Sequence, residues 1–216
     1  MAMDLYELLS RLEARYEVGS WWPSSSAFEV MVGAILTQQT NWRNVERALQ
    51  LIREGPGLDV HAIASTPLEE LEGMVRPAGF YRQKAARLKW IAGYLVEMHQ
   101  GDPEGILGKD VEDARKELLS LPGVGKETAD SILLFAGGRP KFVAAAYTSR
   151  ILSRTGVLDS TDYDEIQEFV ESWLPRNTAV LSGLYARMVV LAKEHCLSTP
   201  RCGGCPLSDG CAFNRR

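Results

Sequence analysis

Residues 115–154 read RKELLSLPGVGKETADSILLFAGGRPKFVAAAYTSRILSR. At their centre Leu121-Pro122-Gly123-Val124-Gly125 separates two amphipathic segments. Proline pre-sets φ, and the two glycines admit left-handed or crowded backbone that a side chain would block. The pattern predicts helices over about 111–120 and 126–137 joined by a tight hairpin. A helix that starts directly after such a turn carries N–H groups with no internal partner, which suits a phosphate.

Working outward, hydrophobic periodicity predicts helices on both sides. Leu5, Leu8, Leu9, Leu12 and Tyr16 mark a helix over 4–17, broken at Gly19-Ser20-Trp21-Trp22-Pro23. A nearly all-apolar run from Ala27 predicts a buried helix ending in the polar Thr37-Gln38-Gln39-Thr40. Asn41 then caps an amphipathic helix bearing Trp42, Val45, Leu49 and Ile52. Thr66-Pro67-Leu68-Glu69 has capping-box spacing with proline in the first turn, which predicts a helix running to about Arg76 and stopping at Pro77. The helix from Tyr81 to about His99 is expected to turn Leu88, Ile91, Leu95 and Met98 inward and its basic residues outward. Further helices are expected near 145–155, 162–174 and 178–195. No stretch alternates as a strand does, so the fold class is all-α, with about ten helices.

The 216 residues, 45% of them hydrophobic, suit one compact domain or two interleaved lobes. No apolar run approaches the length of a membrane span, and residues 1–19 alternate charge with leucine. A cytoplasmic protein without membrane contact is the expectation. The net charge is −4, yet its distribution matters more than its sum. Acids gather at 1–17, 69–72 and 159–171, while Arg76, Arg82, Lys84, Arg87 and Lys89 form one basic cluster and Arg187, Lys193, Arg201, Arg215 and Arg216 another. A locally basic face suffices for phosphate contacts; for any single charge a solvated helix face is the equal alternative.

All four cysteines, Cys196, Cys202, Cys205 and Cys211, fall near the C-terminus with gaps of five, two and five residues. That is a metal-site distribution and not a disulfide framework. Zinc and an iron–sulfur cluster both take four thiolates. Zinc ribbons usually bring two Cys-x₂-Cys pairs together, and here there is one.

The hairpin and the cysteine loop, in this order, resemble the endonuclease III superfamily of helix-hairpin-helix DNA glycosylases over essentially the whole chain. The resemblance implies a two-lobed, all-α fold. One lobe, 24–137, would hold six helices including the hairpin at about 111–137. The other, 1–23 plus 138–216, would carry a [4Fe–4S] cluster on the loop 196–211, with zinc as the alternative metal. In the family the first cysteine gap is commonly six, one residue longer than here. The implied partner is duplex DNA containing a damaged base, with a nucleoid-associated location and a monomeric state. The grip on the backbone would come from Leu121, Gly123, Val124, Gly125 and Lys126, with Arg150 as a further contact.

Two details narrow the branch. Bifunctional members carry a Schiff-base lysine where this chain has Glu127; Lys126 lies one residue earlier, about 100° around the helix. A monofunctional N-glycosylase without β-lyase activity is therefore implied. Trp21-Trp22-Pro23, Phe28-Glu29, Leu36 to Trp42 and Gly125-Lys126-Glu127-Thr128-Ala129-Asp130 are similar to the 3-methyladenine glycosylase branch. There Trp21, Trp22, Pro23, Trp42 and Glu127 would line the base pocket. A cationic alkylated purine over an indole face gains about 0.5–2 kcal/mol, and a carboxylate adds attraction. Core packing is the competing reading for each tryptophan, and helix-dipole complementation for Glu127. Flipping the base leaves a hole in the duplex, which Gln38-Gln39 would fill, Gln38 being the chosen wedge.

One element is missing. The superfamily's catalytic aspartate, which stabilises the sugar cation and orients water, maps onto Ala145, five residues before Arg150. Alanine can neither orient water nor supply charge. The chain is expected to bind damaged duplex and to release base slowly, whether as an Asp→Ala replacement in an intact motif set or as a natural damage-binding protein. Glycosylases for deaminated or oxidised bases are the alternative substrate class.

Overall fold

The computed structural model describes residues 3–19 and 21–215; Ser20, in the break quoted above, and Arg216, in the second basic cluster, lie outside the described residues. Among those residues the chain is helical, with no strand. It divides into two compact units, Trp22–Arg139 and the discontinuous Met1–Trp21 with Pro140–Arg216.

In the discontinuous unit α1 (Leu5–Arg15) is capped by Asp4, whose carboxylate accepts the Glu7 N–H. It buries Leu5, Leu8 and Leu12. The continuous unit begins with α2 (Ala27–Thr37), buried on nearly every side and capped by Ser26. Next comes α3 (Trp42–Glu54), capped by the Asn41 side chain at 3.1 Å from the Asn44 N–H. Then α4 (Val60–Ser65), α5 (Leu68–Val75) and a 3₁₀ turn at Arg76–Ala78 lead to the long α6 (Tyr81–His99). After the short α7 (Glu104–Leu107), α8 (Val111–Ser120) and α9 (Lys126–Phe135) form the hairpin. The apolar stripes of these helices meet in one shared core that holds Met31, Leu36, Ile52, Leu71, Leu95, Leu118 and Ile132. The discontinuous unit resumes with α10 (Ala146–Thr155), α11 (Tyr163–Trp173), capped by Asp162, and α12 (Thr178–Glu194), capped by Asn177.

Several local expectations are corrected. Helices α4 and α7 add to the predicted set; at six and four residues they are too short to show a periodicity. Thr66 does not start a capping box: its hydroxyl turns back to the Ala62 carbonyl and closes α4, and α5 begins without a side-chain cap. On α6, Met98 is 62% exposed against the inward position its spacing predicts. Lys84, placed among the outward basic residues by the sequence, is 1% exposed, and its ammonium donates to the Leu36 and Ala78 carbonyls at 2.9 and 2.8 Å. Charge does not forbid burial when the ammonium finds carbonyl partners. Here they are backbone oxygens left over at a helix end and a 3₁₀ turn.

Candidate DNA-repair site

The hairpin turn has the build its composition demands. Pro122 and Gly123 occupy the centre, Gly123 stands at φ 76°, and the Val124 N–H returns to the Leu121 carbonyl at 3.1 Å. That is a type II turn, whose third residue requires positive φ. Leu121 and Val124 are buried in the core, whereas Gly123, Gly125 and Lys126 are exposed. Gly125 provides no side-chain cap to α9, which leaves the helix start able to receive an external acceptor. Beneath it Arg115 of α8 makes a two-pronged ion pair with the fully buried Asp130 of α9, at 2.7 and 3.1 Å. This staple between the hairpin helices has no local signal, because nothing in the sequence pairs two residues fifteen apart.

Glu127 occupies the second position of α9 and is exposed by surface area, yet burial among surrounding protein pushes its carboxyl above the ordinary value. The tryptophans are distributed over both units. Trp22 lies against Gly33, where a Cβ would come within 3.1 Å of the indole, and stands edge-on to Trp42 at 5.4 Å and tilted on Phe135 at 5.4 Å. Trp21 belongs to the discontinuous unit and stands edge-on to Tyr185 at 6.4 Å. Pro23 is exposed. In the Trp22–Arg139 unit the buried Glu29 accepts from the Ser25 N–H at 3.1 Å, from the Ser25 hydroxyl at 2.6 Å and from Arg53. Burial alone would raise its carboxyl, and these donors outweigh it, so the pKa is lowered.

The two glutamines differ. Gln38 is engaged: its amide donates to the Gly123 carbonyl at 2.9 Å and to the Thr128 hydroxyl at 3.0 Å, and its oxygen accepts from Arg87 at 2.7 Å. Gln39 is exposed and left-handed, at φ 54°. The outward basic cluster predicted on and before α6 is similarly divided: besides the buried Lys84, Lys89 donates to the Ala64 and Thr66 carbonyls, while Arg76 and Arg82 lie near the Tyr81 ring.

Ala145 is the N-cap residue of α10, with φ −64°, ψ 163° and no side-chain cap, and it is 2% exposed. Three residues on, Thr148 is 1% exposed and its hydroxyl has no hydrogen-bond partner among the described residues. Further along the same helix the chain holds its cysteine loop. Arg150 donates to the Cys196 carbonyl at 2.8 Å, and Arg154 to the Leu197 and Ser198 carbonyls and, at 3.4 Å, to the Cys196 sulfur. Arg150 is thus turned to the cysteine loop, a partner that its place in the sequence does not announce.

All four cysteines line one cavity of about 30 Å³, walled otherwise by Ile151, Leu191, Leu207 and neighbours. Gly204, at φ 75°, closes a turn in which the Cys205 N–H returns to the Cys202 carbonyl. Burial, reinforced by the three other sulfurs against a Leu207 backbone hydrogen bond, pushes the Cys205 thiol up. Four thiols gathered in an apolar cavity fit a metal centre that would hold them as thiolates. Among the described residues no three His, Cys, Asp or Glu side chains stand in the arrangement of a single bound ion.

The hairpin, the all-α scaffold and the four cysteines gathered near the C-terminus are the arrangement that the resemblance of the sequence implies. The chain belongs to the HhH-GPD superfamily of base excision DNA repair proteins, whose family pattern matches residues 32–176. It is 41% identical over 209 residues to the "Putative DNA repair glycosylase MJ1434" of Methanocaldococcus jannaschii, covering 96% of this chain and 95% of that protein. It is 30% identical over 190 residues to endonuclease III of Thermotoga maritima, covering 88% and 84%. Among solved structures it is similar to the H. pylori 3-methyladenine DNA glycosylase bound to 1,N6-ethenoadenine, at 28% identity and a TM-score of 0.76 over 89% of this chain and 98% of that one. The fold is also that of endonuclease III in a non-covalent DNA complex, with a TM-score of 0.84 at 24% identity over 98% and 95%. The chain is accordingly a base excision repair DNA glycosylase by family.

Proposed function

We propose that the protein recognises alkylated purines in duplex DNA and is a monofunctional N-glycosylase, weakened in this chain at Ala145. The observation that carries the reading is Glu127 on the first turn of α9: a carboxylate cannot form a Schiff base, but it attracts a cationic base. The Trp22–Trp42 pair, with Pro23 close by in sequence, supplies aromatic and apolar surface suited to the same cation. A likeness to a 3-methyladenine glycosylase supports this substrate class.

The exposed hairpin backbone at Gly123, Gly125 and Lys126 receives a phosphate, with Leu121 and Val124 anchoring the turn in the core. The turn 37–40 supplies the wedge. Gln38 enters the duplex only by exchanging its three hydrogen bonds for new ones, whereas Gln39 already faces solvent; replacing each by alanine tells the two apart. Cys196, Cys202, Cys205 and Cys211 hold a [4Fe–4S] cluster, whose contribution is to order the loop next to α10. Iron and sulfide analysis tests this, and stoichiometric zinc in their place refutes it.

A cationic alkylated purine leaves as a neutral base, so breaking its bond to the sugar needs no proton. The sugar cation that results requires water and a negative group, and Ala145 supplies neither. The same residue favours the second reading, a silent damage-binding protein. Single-turnover assays of this chain and its Ala145→Asp variant on duplexes with one defined lesion separate the two. Base release from alkylated purines by the variant supports the first reading, and tight binding without release by both supports the second. Strand nicking that appears without alkali refutes the monofunctional assignment.

A further inference from the structure

Two turns in the Trp22–Arg139 unit share one build. The Thr40 N–H returns to the Thr37 carbonyl at 3.2 Å, with Gln38 at φ −54°, ψ 118° and Gln39 at φ 54°. Like the hairpin turn at 121–124, this is type II. The hairpin fills the positive-φ place with glycine, and the other turn fills it with glutamine. A side chain in that conformation is strained and persists only where its surroundings over-determine it.

Gln38 provides that constraint, and Arg87 is its pivot. The guanidinium donates to the Gln38 side-chain oxygen at 2.7 Å while the Gln38 amide reaches the Gly123 carbonyl at 2.9 Å. Arg87 also lies over the bare face of Gly123: a Cβ there would fall inside its guanidinium. One turn earlier on α6, Lys84 holds the Leu36 carbonyl near the end of α2. Residues three apart share a helix face, so one face of α6 fixes the exit of α2, the strained turn and the hairpin together.

We infer that Arg87 is a positioning residue that ties the wedge turn to the phosphate-gripping hairpin, so that both meet the duplex as one rigid body. The inference rests on the reading of these turns as DNA-contacting elements and names the residue that couples them. Arginine suits the task because its planar fork packs on backbone while donating in a fixed direction.

The test uses the chain as it stands, because slow base release permits equilibrium binding. Affinity is measured by anisotropy on a duplex with a tetrahydrofuran abasic analogue and on the intact duplex, and 2-aminopurine fluorescence beside the analogue reports entry of the wedge. Arg87→Met is expected to lower the preference for the analogue about tenfold, roughly the worth of one charge-assisted hydrogen bond. It should cut the fluorescence change as well. Arg87→Lys, which keeps charge and stem, is expected to restore part of both and also serves if the methionine variant folds poorly. Adding Gln38→Leu to Arg87→Met should cost little more, since each breaks the same link. An unchanged preference, an equal loss on both duplexes, or losses that multiply in the double variant would overturn the inference. If the unaltered chain shows no preference for the analogue, it is the glycosylase-derived reading that fails.

Discussion

Replacing Ala145 by aspartate should raise stability and base release together, for reasons visible at the start of α10. Ala145 already has the extended backbone of an N-cap, as Asp4 and Asp162 do, and those two accept the N–H three residues on at 2.8 and 2.9 Å. An aspartate at 145 would meet the Thr148 N–H at the same offset, and the buried Thr148 hydroxyl, now unpartnered, would gain an acceptor. Alanine-to-aspartate at an N-cap contributes about 0.5–2 kcal/mol, the low end applying here because the Thr148 N–H already donates to the Ala145 carbonyl at 2.8 Å. Satisfying the hydroxyl contributes about 0.5–1.5 kcal/mol more, and desolvating a carboxylate at a site 2% exposed offsets part of this. A net gain of about 1 kcal/mol would raise Tm by about 2–4 °C for a chain of this size. Single-turnover base release should rise by about 10²–10⁴-fold, the range of a positioned acid or base. Calorimetry and a quenched-flow assay on one alkylated duplex measure the two effects. Faster release with a lower Tm would refute the capping argument, and a higher Tm with unchanged release would refute position 145 as catalytic.

Carboxylates elsewhere in the chain give three more tests. Because burial raises the Glu127 pKa, affinity for a duplex with a cationic purine should fall as pH drops through that raised value, and Glu127→Gln should weaken binding and flatten the profile; a profile unchanged by the substitution would count against its pocket role. Glu29 has a lowered folded-state pKa, so its contribution to stability is present above the unfolded carboxyl value and is lost as pH falls through the folded one. Urea titrations of Glu29→Gln should therefore show a deficit at neutral pH that shrinks in acid. Asp130→Asn breaks the charge pairing with Arg115 in the hairpin, and the cost of about 3–5 kcal/mol for a broken buried pair should appear as a lower urea midpoint, a loss below about 1 kcal/mol arguing that water reaches the pair.

How much of this is legible in the chain depends on the distance over which each interaction acts. Asn41 as a cap and the glycines of the hairpin turn are short-range facts, decided by backbone sterics within a few residues. Lys84 and Met98 depart from their periodic positions because α6 has neighbours on several sides, and its inward face is set by which neighbour supplies carbonyls or apolar surface. Gln38 is readable as polar and helix-terminal, but its bonds to Arg87, Gly123 and Thr128 span up to ninety residues.

The sequence by itself determined the helical class, the hairpin turn and the gathering of four cysteines in one loop, because each follows from residue type and local spacing; the weight placed on Ala145 and Glu127 comes from the family resemblance. Only the tertiary structure decided that the Thr148 hydroxyl is unpartnered close to Ala145, that Arg115 staples the hairpin, and that Arg87 joins two turns. Those facts require side chains distant in the chain to share a buried space, where the cost of an unpaired polar group selects the partner.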